Sequence, residues 1–167
     1  MNITSTGIIN GKIEDMYGKR GTQFNENGMP TYSLPFKIEG APAETKSFAI
    51  VLEDKDAIPV SGGFVWTHWV AANITRIEIM ENESQSALDF VQGLNSWTSI
   101  QGGEQSKELS RYYGGMAPPN APHEYELHVY ALDTLLQLEN GFYMNEMFHK
   151  MKGHILEEGV LYGVYEN

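Results

Sequence analysis

Side chains able to do chemistry gather in three places along this chain. The first is Glu53-Asp54-Lys55-Asp56-Ala57-Ile58-Pro59, where Glu53, Asp54 and Asp56 put three carboxylates into four positions at the exit of an apolar run. Carboxylates there are poor packing material and good ligand-facing groups, although Asp in such a turn also serves local backbone hydrogen bonds. The second is His68, in the middle of an aromatic and β-branched stretch with Trp66 and Val70 at even spacing. It reads either as a satisfied core residue or as a donor that switches charge near neutral pH.

The third is Tyr113-Gly114-Gly115-Met116-Ala117-Pro118-Pro119, followed by Pro122-His123-Glu124-Tyr125. Glycines let backbone N–H groups approach a ligand, and the paired prolines stiffen the turn. Spacing of two puts His123 and Tyr125 on one strand face, offering an imidazole and a phenol to phosphate or carboxylate oxygens. A Gly/Pro turn that simply enters a core strand would look the same.

Other chemistries fail on residue type or spacing. The chain has no cysteine, so no thiolate nucleophile, disulfide or sulfur-ligated metal is available. His123 and His128 are five apart and fall on opposite faces of a regular strand, so they cannot share a metal. No nucleophile elbow, phosphate-binding loop or H-E-x-x-H helix is present. A triad using Asp56 and His68 would need a serine, and no serine is singled out. His149 and His154 read as structural residues of a helical region.

The elements that must position these groups are mostly strands. Ser47-Phe48-Ala49-Ile50-Val51-Leu52 is a continuous apolar run, expected of a strand buried on both faces. Phe64 to Ile74 forms a second strand. Glu124 to Leu132 forms a third, with Tyr125, Leu127, Val129 and Ala131 on one face and Glu124, Glu126, His128 and Tyr130 on the other. Thr31 to Phe36 reads as a short edge strand because of Pro35, residues 14–31 as surface loops, and Leu161 to Tyr165 as a closing strand. One helix, capped by Asn145 and running through Met147 and Met151, is predicted to continue past Gly153 into His154-Ile155-Leu156.

Length and charge bound the rest. The 167 residues suffice for one core and are too few for two comfortable domains, so a single all-β domain over residues 1–167 is expected. Seventeen Gly, seven Pro and nine Tyr favour short strands joined by turns. A formal net charge of −11 argues against nucleic acid and anionic membrane surfaces, which need clustered Lys and Arg. Lys12, Lys19 and Arg20 are the densest basic group, and Glu14 and Asp15 interrupt it. Met1 to Gly7 lacks a basic start followed by an apolar stretch. No apolar run approaches the roughly 20 residues that span a bilayer. A soluble cytoplasmic protein is the expectation, with no cofactor implied.

Taken in order, the pieces resemble one family. Asp54-Lys55-Asp56-Ala57-Ile58-Pro59 is similar to the D-P-D-A-P box of the phosphatidylethanolamine-binding proteins, also called Raf kinase inhibitor-like proteins, in their bacterial and archaeal YbhB/YbcL-type branch. Phe64 to Ile74 resembles the following strand, whose histidine lines a pocket. Tyr113 to Pro119 with His123-Glu124-Tyr125 resembles the G-x-x-P-P…H-R-Y box, and Ala131-Leu132-Asp133 and Gly153-His154-Ile155-Leu156 resemble later segments.

The resemblance covers essentially the whole chain. It implies a β-sandwich with a large antiparallel sheet, one or two short helices near the C-terminus, a cavity for small anions such as phosphate, phosphate esters or carboxylates, and a homodimer. Carried over by position, Asp54, Asp56, Ala57, His68, Gly115, Pro118, Pro119, His123 and Tyr125 would line the cavity. The departures are Lys55 for the box proline, an inserted Ile58, Glu124 for the usual arginine, Met116 where a proline is frequent, and an end soon after Tyr165 without the covering helix of animal members.

Three functions stay open. One is a binding module or regulator for a small anionic group. In that case Asp54 and Asp56 would orient the histidines and favour protonation of His68 or His123, and imidazolium, the Tyr125 hydroxyl and the Gly114-Gly115 N–H groups would meet the anion. The second is a hydrolase or lyase using an Asp–His pair. The third, from the resemblance alone, is an inhibitor of a peptidase or kinase through a protein contact.

Overall fold

The computed structural model describes residues 1–167. Ten strands appear in chain order: β1 (Asn2–Thr4), β2 (Ile8–Ile9), β3 (Lys12–Ile13), β4 (Phe36–Glu39), β5 (Ser47–Asp54), β6 (Trp66–Ile74), β7 (Glu78–Ile79), β8 (Val91–Gln92), β9 (His123–Leu132) and β10 (Ile155–Tyr165). Three short helices join them: α1 (Ile58–Ser61), α2 (Lys107–Ser110) and α3 (Met144–Met151).

A seven-stranded sheet runs in the order β2-β3-β10-β9-β5-β6-β8, and a three-stranded sheet in the order β1-β4-β7. Every pairing is antiparallel except β3 with β10. The mainly β class and the large sheet match the expectation.

Strand β5 lies inside the large sheet, and its apolar run serves both faces. Phe48, Ile50 and Leu52 join the larger core with Ile3, Phe36, Ile38, Trp69 and Tyr113, which packs the small sheet against the large one. Ala49 and Val51 point the other way, into a second core closed by Met147 and Met151 of α3. Burying a Leu or Ile of this kind contributes about 1.5–3 kcal/mol. Strand β9 alternates as its sequence predicts, with Tyr125, Leu127, Val129 and Ala131 in the larger core and Tyr130 and Leu132 in the smaller.

Several boundaries differ from the sequence reading. Thr31 to Pro35 is not a strand; β4 begins at Phe36 and is the middle strand of its sheet, with Pro35 just outside the ladder where its missing N–H does no harm. Residues 14–31 are not all surface loop. A 3-10 turn at Asp15–Tyr17 buries Tyr17, and Met29 is buried beyond it.

Helix α3 starts two residues earlier than expected. Tyr143 is its N-cap, and the Glu146 carboxylate accepts the Tyr143 N–H at 2.7 Å. It stops before Gly153, whose φ of +86° turns the chain so that Ile155 begins β10, six residues before the expected start of that strand.

A one-residue bulge in β6 matters most for function. Leu52 opposes Trp69 but Glu53 opposes Thr67, so His68 is the extra residue. The shift reverses the face of the residues from Trp69 to Ala72, before a second irregularity ahead of Ile74 shifts the register again. Val70, expected beside His68, lies in the second core, while Trp69 lies in the first. Bulges re-aim side chains in this way.

A candidate anion cavity at one end of the large sheet

Register brings the three chemical segments together. Asp54, the last residue of β5, opposes Trp66 at the start of β6 on one side and Tyr125 near the start of β9 on the other. His68 and His123 flank that row. The result is a cavity of about 180 Å³ lined by Asp54, Ala57, Val60, Trp66, His68, Trp97, Gln101, Gly102, Ala117, Pro118, Pro119 and His123.

Of the nine residues carried over by resemblance, six line this cavity: Asp54, Ala57, His68, Pro118, Pro119 and His123. The other three stand behind it. Asp56 is exposed, and its carboxylate accepts the Glu124 N–H at 3.0 Å, tying the box turn to the start of β9. Gly115 is buried against the chain around Tyr17 and Pro30, where an added Cβ would lie 2.4 Å from the Tyr17 carbonyl oxygen. Tyr125 sits under the floor, its ring centroid 5.1 Å from that of His68, and its buried hydroxyl has no hydrogen-bond partner. Burial, followed by the charge of Asp54, pushes the Tyr125 phenol pKa upward, so it stays protonated.

The floor is polar and almost sealed, with His68 and His123 each 2% exposed and Asp54 3%. His123 Nδ1 donates to Asp54 Oδ2 at 2.8 Å, and His123 Nε2 lies 3.1 Å from Asn120 Oδ1. The other Asp54 oxygen accepts the Asp56 N–H at 2.8 Å.

His68 is held differently. Its Nδ1 lies 2.6 Å from the Gly114 carbonyl oxygen, which can only accept, so Nδ1 carries the proton. The other nitrogen, Nε2, is buried and unpartnered. Burial lowers the His68 pKa to about 4 against the opposing pull of Asp54 and the glycine carbonyl. The imidazole is therefore neutral at pH 7, and the protonated form expected from its carboxylate neighbour does not form.

The glycine N–H groups are also occupied. Gly114 donates to the His68 carbonyl and Gly115 to the Pro30 carbonyl, each at 2.8 Å. The sequence expectation that they meet an anion is corrected: this stretch presents a carbonyl to His68.

The departures from the family boxes fall away from the cavity. Lys55 reaches across the outer sheet face to Glu126 at 2.7 Å and Glu53 at 3.2 Å. Ile58 and Pro59 open α1, a single turn ended by Gly62 at φ +72°. Sequence reasoning missed Val60, Trp66, Ala117, and above all Trp97, Gln101 and Gly102, which arrive on two consecutive 3-10 turns. A tryptophan inside the polar run Asn95-Ser96-Trp97-Thr98-Ser99 was the available signal.

A two-sheet fold with a buried Asp–His floor at one sheet end defines the class, and comparison with known proteins agrees. The chain belongs to the phosphatidylethanolamine-binding protein family, whose model matches residues 4–166. It is 40% identical over 150 residues to the uncharacterized protein YxkA of Bacillus subtilis, covering 87% of this chain and 89% of that one. It is 36% identical over 181 residues to the UPF0098 protein PH1269 of Pyrococcus horikoshii, covering 98% and 84%.

Among solved structures, the phosphatidylethanolamine-binding protein homologue CT736 of Chlamydia trachomatis superposes with a TM-score of 0.79 at 28% identity, covering 99% and 96%. Escherichia coli YbcL superposes with a TM-score of 0.75 at 23% identity, covering 99% and 98%, which speaks for the fold alone. No helix is long and apolar enough to cross a membrane.

Proposed function

We propose that this chain is a binding protein whose cavity takes a small oxyacid group that still carries one proton, with a phosphate monoester monoanion as the representative ligand. The observation that carries the reading is His68: tautomer fixed by Gly114, neutral, and with a buried, unpartnered Nε2 on a ring that lines the cavity. A lone pair of this kind asks for a donor. A bare phosphate dianion has none to offer and would also meet the Asp54 carboxylate. A monoanion supplies an O–H for Nε2 and leaves its remaining oxygens to accept bonds.

Binding is favoured over catalysis by the state of the Asp54–His123 pair. Both carboxylate oxygens and both ring nitrogens already face protein partners, so neither is poised to take a proton from water.

Calorimetry with methyl phosphate and dimethyl phosphate tests the proposal. At about pH 5 both carry one negative charge, because the second ionisation of a phosphate monoester lies near 6. Only the monoester has an O–H. Monoester binding that the diester does not share, and that His68→Ala abolishes, supports the reading. Equal binding of the two esters overturns it. That arm also separates this reading from recognition of a phospholipid headgroup, whose phosphate is a diester.

A further inference from the structure

The segment Tyr113 to Pro119 carries both the Gly114 carbonyl that fixes His68 and the Ala117–Pro119 wall of the cavity. It has no regular secondary structure of its own, so something else must hold it. The chain from Asp15 to Arg20 does so along its length. The Tyr113 hydroxyl donates to the Tyr17 carbonyl at 2.6 Å, and Gly18 packs so closely that a Cβ would lie 2.4 Å from the Met116 carbonyl oxygen. Tyr165 of β10 braces the other side, its hydroxyl donating to the Asp15 carbonyl at 2.8 Å and accepting the Arg20 N–H at 2.9 Å.

Lys19 grips this wall twice. Its backbone N–H donates to the Met116 carbonyl at 2.7 Å, and its ammonium donates to the Pro118 carbonyl at 2.5 Å and to Asn167 Oδ1 at 2.8 Å. Lys12 and Arg20, by contrast, pair with the carboxylates of Glu166 and Asp15. The Lys19 ammonium meets neutral oxygens, one of them on the cavity wall, in a chain whose net charge is −11.

We propose that Lys19 is a positioning residue: by pinning the Pro118 carbonyl it fixes the Ala117–Pro119 wall and so sets the affinity of the cavity for its oxyacid ligand. Proline has no N–H with which to anchor itself, so the carbonyl is the handle that Pro118 offers. The role in affinity rests on the binding reading above, whereas the role in ordering the wall does not.

The experiment measures two quantities in Lys19→Met, Lys19→Arg and Lys12→Met. One is the backbone order parameter of Ala117 and Asn120 by ¹⁵N relaxation, and the other is the affinity for methyl phosphate. In Lys19→Met, order should fall from the rigid range near ~0.85 toward ~0.6, and binding should weaken by about fivefold. Lys19→Arg, which keeps a cationic donor, should restore most of both, and Lys12→Met should change neither.

Unchanged order in Lys19→Met overturns the proposal, as does an equal loss of affinity in Lys12→Met, which would mark a diffuse charge effect. Should Lys19→Met melt far below the wild type, Lys19→Arg and Lys12→Met decide between pinning and charge in the folded protein. If the wild type binds no oxyacid at all, the ligand reading falls and the order parameters alone judge the clamp.

Discussion

His68 Nδ1 donates to the carbonyl oxygen of Gly114 across 2.6 Å, linking residues 46 positions apart and leaving Nε2 as the ring nitrogen without a partner. Because a carbonyl cannot donate, this one contact sets the tautomer, and the tautomer makes His68 an acceptor. In ¹⁵N spectra at neutral pH, His68 should therefore show a protonated Nδ1 and an unprotonated Nε2. Protonation should begin only as pH approaches about 4. An imidazolium signature at pH 7 would contradict the placement.

The same shift has a consequence for stability. Its folded value near 4 lies below the ordinary 6.5, so between these the unfolded chain binds more protons than the folded one. Stability should fall as pH drops from 6.5 toward 4, and His68→Gln should lose part of that slope. Urea denaturation at several pH values checks it; parallel slopes in variant and wild type would contradict it.

His128 titrates in the opposite sense on the outer face of the sheet. Its ring faces Glu53 at 3.4 Å, Glu126 at 3.1 Å and Glu158 at 2.7 Å, with Lys55 bridging the first two glutamates and Tyr130 stacked beside the ring. The interaction with Glu53, then those with Glu158 and Glu126, raise its pKa to about 9 against burial. The stabilisation is thus fully present below the unfolded value near 6.5 and lost as pH rises through 9. The gap in urea midpoint between wild type and His128→Gln should be largest at about pH 6, below the unfolded value, and close above pH 9. A gap independent of pH would contradict the cluster.

Glu53 and Glu126 are direct cross-strand partners, an arrangement of like charges that destabilises a sheet unless cations intervene. That explains why Lys55, a departure from the family box, causes no trouble at the cavity: its side chain serves the outer face.

Asp54 and His123 join the ends of β5 and β9 through a buried bond of 2.8 Å. Asp54→Asn removes the charge from that bond and should cost about 2 kcal/mol of stability, read from denaturation midpoints at pH 7. Undiminished stability would mean that the pair does not help hold the strand ends together.

Much of this was legible in the sequence, for identifiable reasons. The apolar run of β5 and the alternation of β9 are direct imprints of burial on side-chain periodicity. Asp54, His68 and His123 stood out because such groups are seldom placed at strand ends or inside strands without cause. The bulge at His68 was not legible. Nothing in Trp66-Thr67-His68-Trp69-Val70 marks where one residue slips, and the slip put Val70 on the wrong face in the sequence reading.

The state of the histidine was hidden for a related reason. A nearby Asp54 suggested a cation, but full burial and the Gly114 carbonyl come from the tertiary packing, and desolvation outweighs the carboxylate. Trp97 and Lys19 were missed because they belong to no periodic element. Each reaches the site from an irregular loop.

A protonated oxyacid held in the cavity should donate to His68 Nε2. A crystal soaked with methyl phosphate at about pH 5, below the second phosphate ionisation near 6, tests it most directly. A phosphate oxygen should lie at about 2.7 Å from His68 Nε2, with the Gly114 contact intact. A phosphate bound elsewhere in the cavity, with Nε2 still unpartnered, would contradict it.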